Sequence, residues 1–294
     1  MTDMNMKNGI YIPLVTPFKK DGGVDYGGLK SAARCAFKTD AEGVYAVGSS
    51  AECFALTESE RKKCLDVIMG ESGGKPVIAH IGHIGQDVAE DLARHAERAG
   101  AAKIASVPPF YFQFSFGEVK NYFFGLAESV KIPLMIYNIP SMTRPLSLEN
   151  CVELLSHENI SSMKFTDTNY FVLERIKALT GKVVYSGRDE CFLSALAAGA
   201  DGAIGTSFNY MAEVFIGIKR HYAAGDMQGA LELQSKANAV IRFTLDSGKL
   251  IASAKYLMSL RGAEIESSAR RPFLPLTEKD KAELRKIFKD NFDF

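Results

Sequence analysis

The chain carries no surplus of charge of either sign. In 294 residues, 35 Lys plus Arg stand against 35 Asp plus Glu, a formal net charge of zero. Nucleic-acid binders show a basic excess or stripe, so a small-molecule partner is expected instead, with no nucleic acid. Long hydrophobic runs are missing too. The longest are strand-like stretches such as 132–137, far short of the ~18 residues a membrane span needs, and no membrane partner is expected. The opening MTDMNMKNG is polar and lacks the apolar core of a secretory leader. Cysteines are few: positions 35, 53, 64, 151 and 191, odd in number and without a CxxC pair. Free thiols in a reducing cytoplasm fit that pattern, and Cys53 is expected to be a small buried thiol. Nor does a GxGxxG follow the first strand, so the signature of a dinucleotide-binding sheet is lacking.

What the chain does have is apolar material in regular alternation. Hydrophobic residues make up 47 %, ample for one large core. Short Val-, Ile- and Ala-rich runs at 10–15, 43–47, 77–81, 102–107, 134–138, 161–165, 183–186 and 203–205 show little polar alternation. That is the pattern of parallel strands buried on both faces. Amphipathic helical stretches separate them, for example 58–69 and 86–99. Eight such units predict a (β/α)8 TIM barrel over about 9–224. Beyond about residue 208 only helical patterns follow, at 212–223, 226–245, 248–260 and 278–288. The first is expected to be the eighth barrel helix. The rest predict a C-terminal helical extension over about 225–294, without a linker, so that 1–294 forms a single domain.

A TIM barrel holds its active site at the C-terminal strand ends. Lys164 terminates an apolar run there. Lysine is almost never fully buried without a partner or a task, and an unprotonated amine attacks ketones to form an imine. The bland alternative is a lysine snorkelling out of a strand end. Tyr137 ends the neighbouring strand and is a candidate proton relay, or a core tyrosine bonded locally. Gly48-Ser49-Ser50 offers hydroxyls and successive N–H groups suited to a carboxylate, or a simple helix cap; Thr57 with Glu60 already reads as a capping box. His80 and His83 form an HxxH with no third ligand at suitable spacing, so no metal is expected. Asp189 and Glu190 are adjacent and point apart. They suit hydrogen bonding to a polyol, or a helix N-terminal charge, better than a glycosidase pair.

Several motifs in order resemble one family. They are GSSAE after the second strand, YNIPS ending the fifth, a lysine ending the sixth, GADGAIGTSFN at the eighth and the closing RRPFLPL. The chain resembles the dihydrodipicolinate synthase and N-acetylneuraminate lyase superfamily from about Ile10 to Leu276. The resemblance implies a class I aldolase that acts on pyruvate-type keto acids and sugar acids through a lysine imine, with neither metal nor organic cofactor. It assigns the imine to Lys164, proton relay to Tyr137 and the keto-acid carboxylate to Ser49 and Ser50. It implies a homotetramer in which Tyr111 enters a neighbouring subunit's site. The synthase pattern places a carboxylate-binding arginine five residues after the tyrosine, where Met142 stands here, with Arg144 out of register. The lyase branch is similar in AHIG, K-x-T and G-x-D-E, which implies sugar contacts from Thr166, Gly187, Asp189, Glu190 and Thr206. Departures are Ala51 in place of a glycine, Arg144-Pro145 in place of small residues, and Leu250 in place of an aromatic.

Overall fold

In the computed structural model, which describes residues 8–292, the eight strands close into one parallel barrel. The polar opening read for the absence of a leader lies mostly outside the described residues. The strands are β1 (Ile10–Pro13), β2 (Gly43–Ala46), β3 (Val77–His80), β4 (Lys103–Ser106), β5 (Leu134–Asn138), β6 (Ile160–Phe165), β7 (Val183–Ser186) and β8 (Gly202–Ile204). Each pairs with the next in sequence, and β8 returns to β1. The fold is a TIM barrel, as the alternation predicts. The observed strands differ from their predicted bounds by only a residue or two at their ends.

Helices α1 (Tyr26–Lys38), α2 (Glu58–Gly70), α3 (Gln86–Arg98), α4 (Phe116–Ser129), α5 (Leu148–Leu155), α6 (Tyr170–Thr180), α7 (Phe192–Ala197) and α8 (Phe208–Ala223) follow the successive strands. Several of their starts are chemically specified. Thr57 and Glu60 exchange the two bonds of a capping box at α2, and Ser115 with Glu118 does so at α4. α8 breaks at Met211 (φ −148°, ψ 42°), which is why the helical periodicity of the sequence resumes only at 212. Then come α9 (Met227–Asp246), α10 (Leu250–Leu260) and α11 (Glu278–Asn291). α10 begins two residues later than expected because Gly248 takes φ +66°, outside the right-handed helical region.

Two cores result. The larger lies between strands and helices, where apolar helix stripes meet the outer strand faces. The smaller fills the barrel and holds Tyr11, Tyr45, Ile78, Met135, Tyr185 and Ile204. Tyr11 and Tyr185 pack edge to face with ring centroids 5.6 Å apart. This packing closes the barrel below the cavity at its C-terminal mouth.

Candidate active site

Burial alone does not single out Lys164. Lys103 and Lys255 are even more enclosed. Position does. Lys103 opens β4 at the opposite end of the barrel and donates to Ser162 Oγ at 3.1 Å. Lys164 lies near the C-terminal end of β6 and is only 6 % exposed. Its strand register sets it beside Tyr137 on β5 and Tyr185 on β7. Its Nζ lies 4.0 Å from the Tyr137 ring centroid and 5.1 Å from that of Tyr45. Among the described residues it has no hydrogen-bond or ion-pair partner. The amine lies over aromatic faces and opens into a cavity of about 450 Å³, a size that suits a small organic ligand.

The strand ends supply the walls. Ser49 and Ser50 sit in a short 3₁₀ turn, Ser49–Ala51. Within that turn the Ala51 and Glu52 N–H groups donate to Gly48 O and Ser49 O. Ala51 keeps an ordinary backbone; the positive φ values fall on its flanks, at Val47 (55°) and Glu52 (58°). A β-branched residue there is strained, so surrounding structure must impose the turn. Ser50 Oγ and Thr206 Oγ1 bond at 2.7 Å and tie it to the eighth strand end.

Thr166, Gly187, Asp189 and Glu190 line the same cavity. The Thr166 hydroxyl is buried with no hydrogen-bond partner among the described residues. Gly187 is required by close approach: a Cβ there would lie 1.8 Å from Thr166 Oγ1 and 3.1 Å from Lys164 Cε. The Asp189 carboxylate accepts from Ser207 N and Ser207 Oγ. Burial pushes its pKa up to about 6 against those two bonds, with Glu190 pushing it further and Lys164 pulling it back. Arg188 lies 3.4 Å from Glu190. Tyr111 is not brought to this cavity; it is 85 % exposed on the loop after β4. Met142 and Leu250 line the cavity, whereas Arg144 turns away to donate to Phe114 O at 2.7 Å.

Burial holds the His80 imidazole well below its usual pKa, helped by Arg61 and Lys164, so the ring is neutral. No cluster of three or more His, Cys, Asp or Glu able to hold a metal occurs among the described residues. Cys53 lies beside the serine turn as a buried thiol, pushed by burial up to about 11.

A model of the dihydrodipicolinate synthetase family matches residues 6–291. The chain belongs to that family. It is 38 % identical to the N-acetylneuraminate lyase of Rhizobium meliloti (strain 1021), over 94 % of this chain and 93 % of that one. Among solved structures it is similar to CdNal of Clostridium difficile in complex with mannosamine, at 31 % identity and TM-score 0.93, covering 97 % of this chain and 99 % of that one. A pyruvate complex of a prophage protein of the dihydrodipicolinic acid synthase family from E. coli K12 is also similar. There identity is 26 % and TM-score 0.90, covering 96 % and 97 %. The chain is thus a carbon–carbon lyase of the class I aldolase type. The family's aldolases form a lysine Schiff base with pyruvate and need no external cofactor.

The strand-end reading missed what lies behind the serine turn. Glu52 and Lys255 form a wholly buried ion pair at 2.6 Å. Burial pulls the lysine pKa down to about 8 against the attraction of Glu52. Arg270 N donates to the other Glu52 oxygen at 2.7 Å, and its guanidinium holds Glu60 and the carbonyls of Ala55 and Gly22. The C-terminal helices also wall the cavity, through Ile241, Thr244 and Leu250. One signal was visible: Lys255 is the only charge in the mostly apolar segment 250–258, a position where a lysine needs a buried partner.

Proposed function

We propose that the protein is an N-acetylneuraminate lyase, cleaving N-acetylneuraminate reversibly to N-acetylmannosamine and pyruvate. The observation that carries this reading is the joint placement of an unpaired lysine and a tyrosine on adjacent strands, below a wall of hydroxyls and carboxylates. A polyol needs such donors and acceptors; a dicarboxylic product needs a cation, and Met142 stands where the synthase pattern has one.

Lys164 Nζ attacks the C2 ketone of the open-chain sugar, and loss of water leaves a protonated imine. Ser49 and Ser50 hold the carboxylate. The C3–C4 electron pair moves into the iminium, forming an enamine, while Tyr137, whose phenol proton left with the water lost in imine formation, takes the C4 hydroxyl proton and the aldehyde departs. Protonation of the enamine at C3 and hydrolysis of the imine release pyruvate and free Lys164. Thr166, Gly187, Asp189, Glu190 and Thr206 contact the sugar chain. Asp189 reaches it while still held by Ser207. The enzyme is proposed to work as one folding unit, in the cytoplasm, and as a homotetramer. Tyr111, exposed in the single chain, then belongs to a neighbouring copy's site.

Borohydride reduction in the presence of pyruvate tests the core of this reading. The unaltered protein is expected to gain one reduced pyruvate, and Lys164→Ala none. A trapped adduct on Lys164→Ala would remove Lys164 from its role. Cleavage of N-acetylneuraminate against condensation of pyruvate with aspartate semialdehyde decides the substrate. Turnover of the second alone would assign the synthase reaction of the same family.

A further inference from the structure

We infer that the buried Glu52–Lys255 pair positions the Ser49–Ser50 turn to hold the keto-acid carboxylate, so that the C-terminal helices form part of that site. Ser49 and Ser50 are at most three residues from Glu52, and the turn ends on Glu52 in the left-handed region. A left-handed residue of this kind persists only where its surroundings over-determine it. Those surroundings come from the far end of the chain. One Glu52 oxygen accepts from Lys255 Nζ and the other from the Arg270 backbone. Lys255 also donates to Ser268 O at 2.8 Å and lies 4.4 Å from the Phe18 ring centroid. Both members of the pair have side chains wholly out of solvent. The far side of the turn is tied by a hydroxyl pair, Ser50 with Thr206. Removing the charge from either partner leaves the other buried and unpaired. The turn is then expected to relax, moving the donors that meet the carboxylate and leaving Lys164 and Tyr137 in place on their strands.

This inference rests on the reading of Ser49 and Ser50 as the carboxylate site. Its test compares Glu52→Gln, Lys255→Met and the paired replacement Glu52→Leu with Lys255→Met. A misplacement of this order costs about tenfold or more, so half-saturating pyruvate, read by borohydride trapping, is expected to rise at least about tenfold in each single variant. The rate at saturation should fall less than about threefold, because the reacting groups are untouched. Half-saturating N-acetylmannosamine, bound at the other end of the cavity, should not move. An apolar pair can replace a buried ion pair without loss of stability, so the paired replacement should recover the melting temperature while its pyruvate half-saturation stays high. The inference is overturned if stability and pyruvate affinity recover together, if both substrates weaken in parallel, or if folded single variants bind pyruvate normally. Failure of the unaltered protein to trap pyruvate at all would instead refute the functional reading.

Discussion

Gly187→Ala is the sharpest perturbation of the site that leaves every functional group in the sequence. Gly187 is not among the positive-φ glycines, so alanine meets no backbone penalty there and the effect is purely steric. The added methyl would sit 1.8 Å from Thr166 Oγ1 and 2.8 Å from Thr166 Cβ, where ordinary contact begins at 3.4 Å. Rotating Thr166 cannot relieve the second overlap, because χ1 does not move Cβ. Either the β6 end or the turn after β7 must shift, and overpacking of this kind costs about 1–3 kcal/mol. At very roughly 2–4 °C per kcal/mol for a chain of this size, the melting temperature should fall by several degrees. The same shift presses on Lys164 Cε, 3.1 Å from the added methyl. An error approaching 1 Å at the nucleophile costs about 100-fold, so the rate of borohydride trapping with pyruvate should fall by that order. Thr166→Gly in the same chain removes both overlaps. The double variant should therefore be more stable than the sum of the two changes by about 1 kcal/mol or more, a coupling read from a double-mutant cycle. Strict additivity, or a single variant that melts and traps pyruvate like the parent, would refute the steric argument.

Two further outcomes follow from the same geometry. Tyr137→Phe should lower cleavage by about 10²–10⁴-fold, the usual worth of a positioned proton-transfer group, while pyruvate remains trappable on Lys164; full activity in the phenylalanine variant would exclude the relay. Burial raises the Asp189 pKa from 3.8 to about 6. The folded state therefore binds more protons than the unfolded state between those values, and stability falls as pH rises through that window. Asp189→Asn should flatten that part of the stability–pH curve, measured by urea midpoints, and an unchanged slope would contradict the assignment.

The sequence by itself determined the barrel. Short apolar runs with little polar alternation, separated by helical stripes, are local patterns, and eight of them leave few ways to bury both faces of a parallel sheet. It also marked the strand ends that carry the candidate groups, because Lys164, Tyr137 and the Gly48–Ser50 turn each end a legible run. Local pattern could not pair Glu52 with Lys255, 203 positions apart, since partner choice across such a span is set by how the C-terminal helices pack on the barrel. Nor could it foresee that Arg144 would turn to Phe114 rather than into the cavity. The direction and neighbours of a side chain depend on the closed barrel around it, and only the tertiary structure decided them: strand closure brought Lys164 beside Tyr137, and the returning C-terminal segment brought Lys255 and the Arg270 backbone to Glu52.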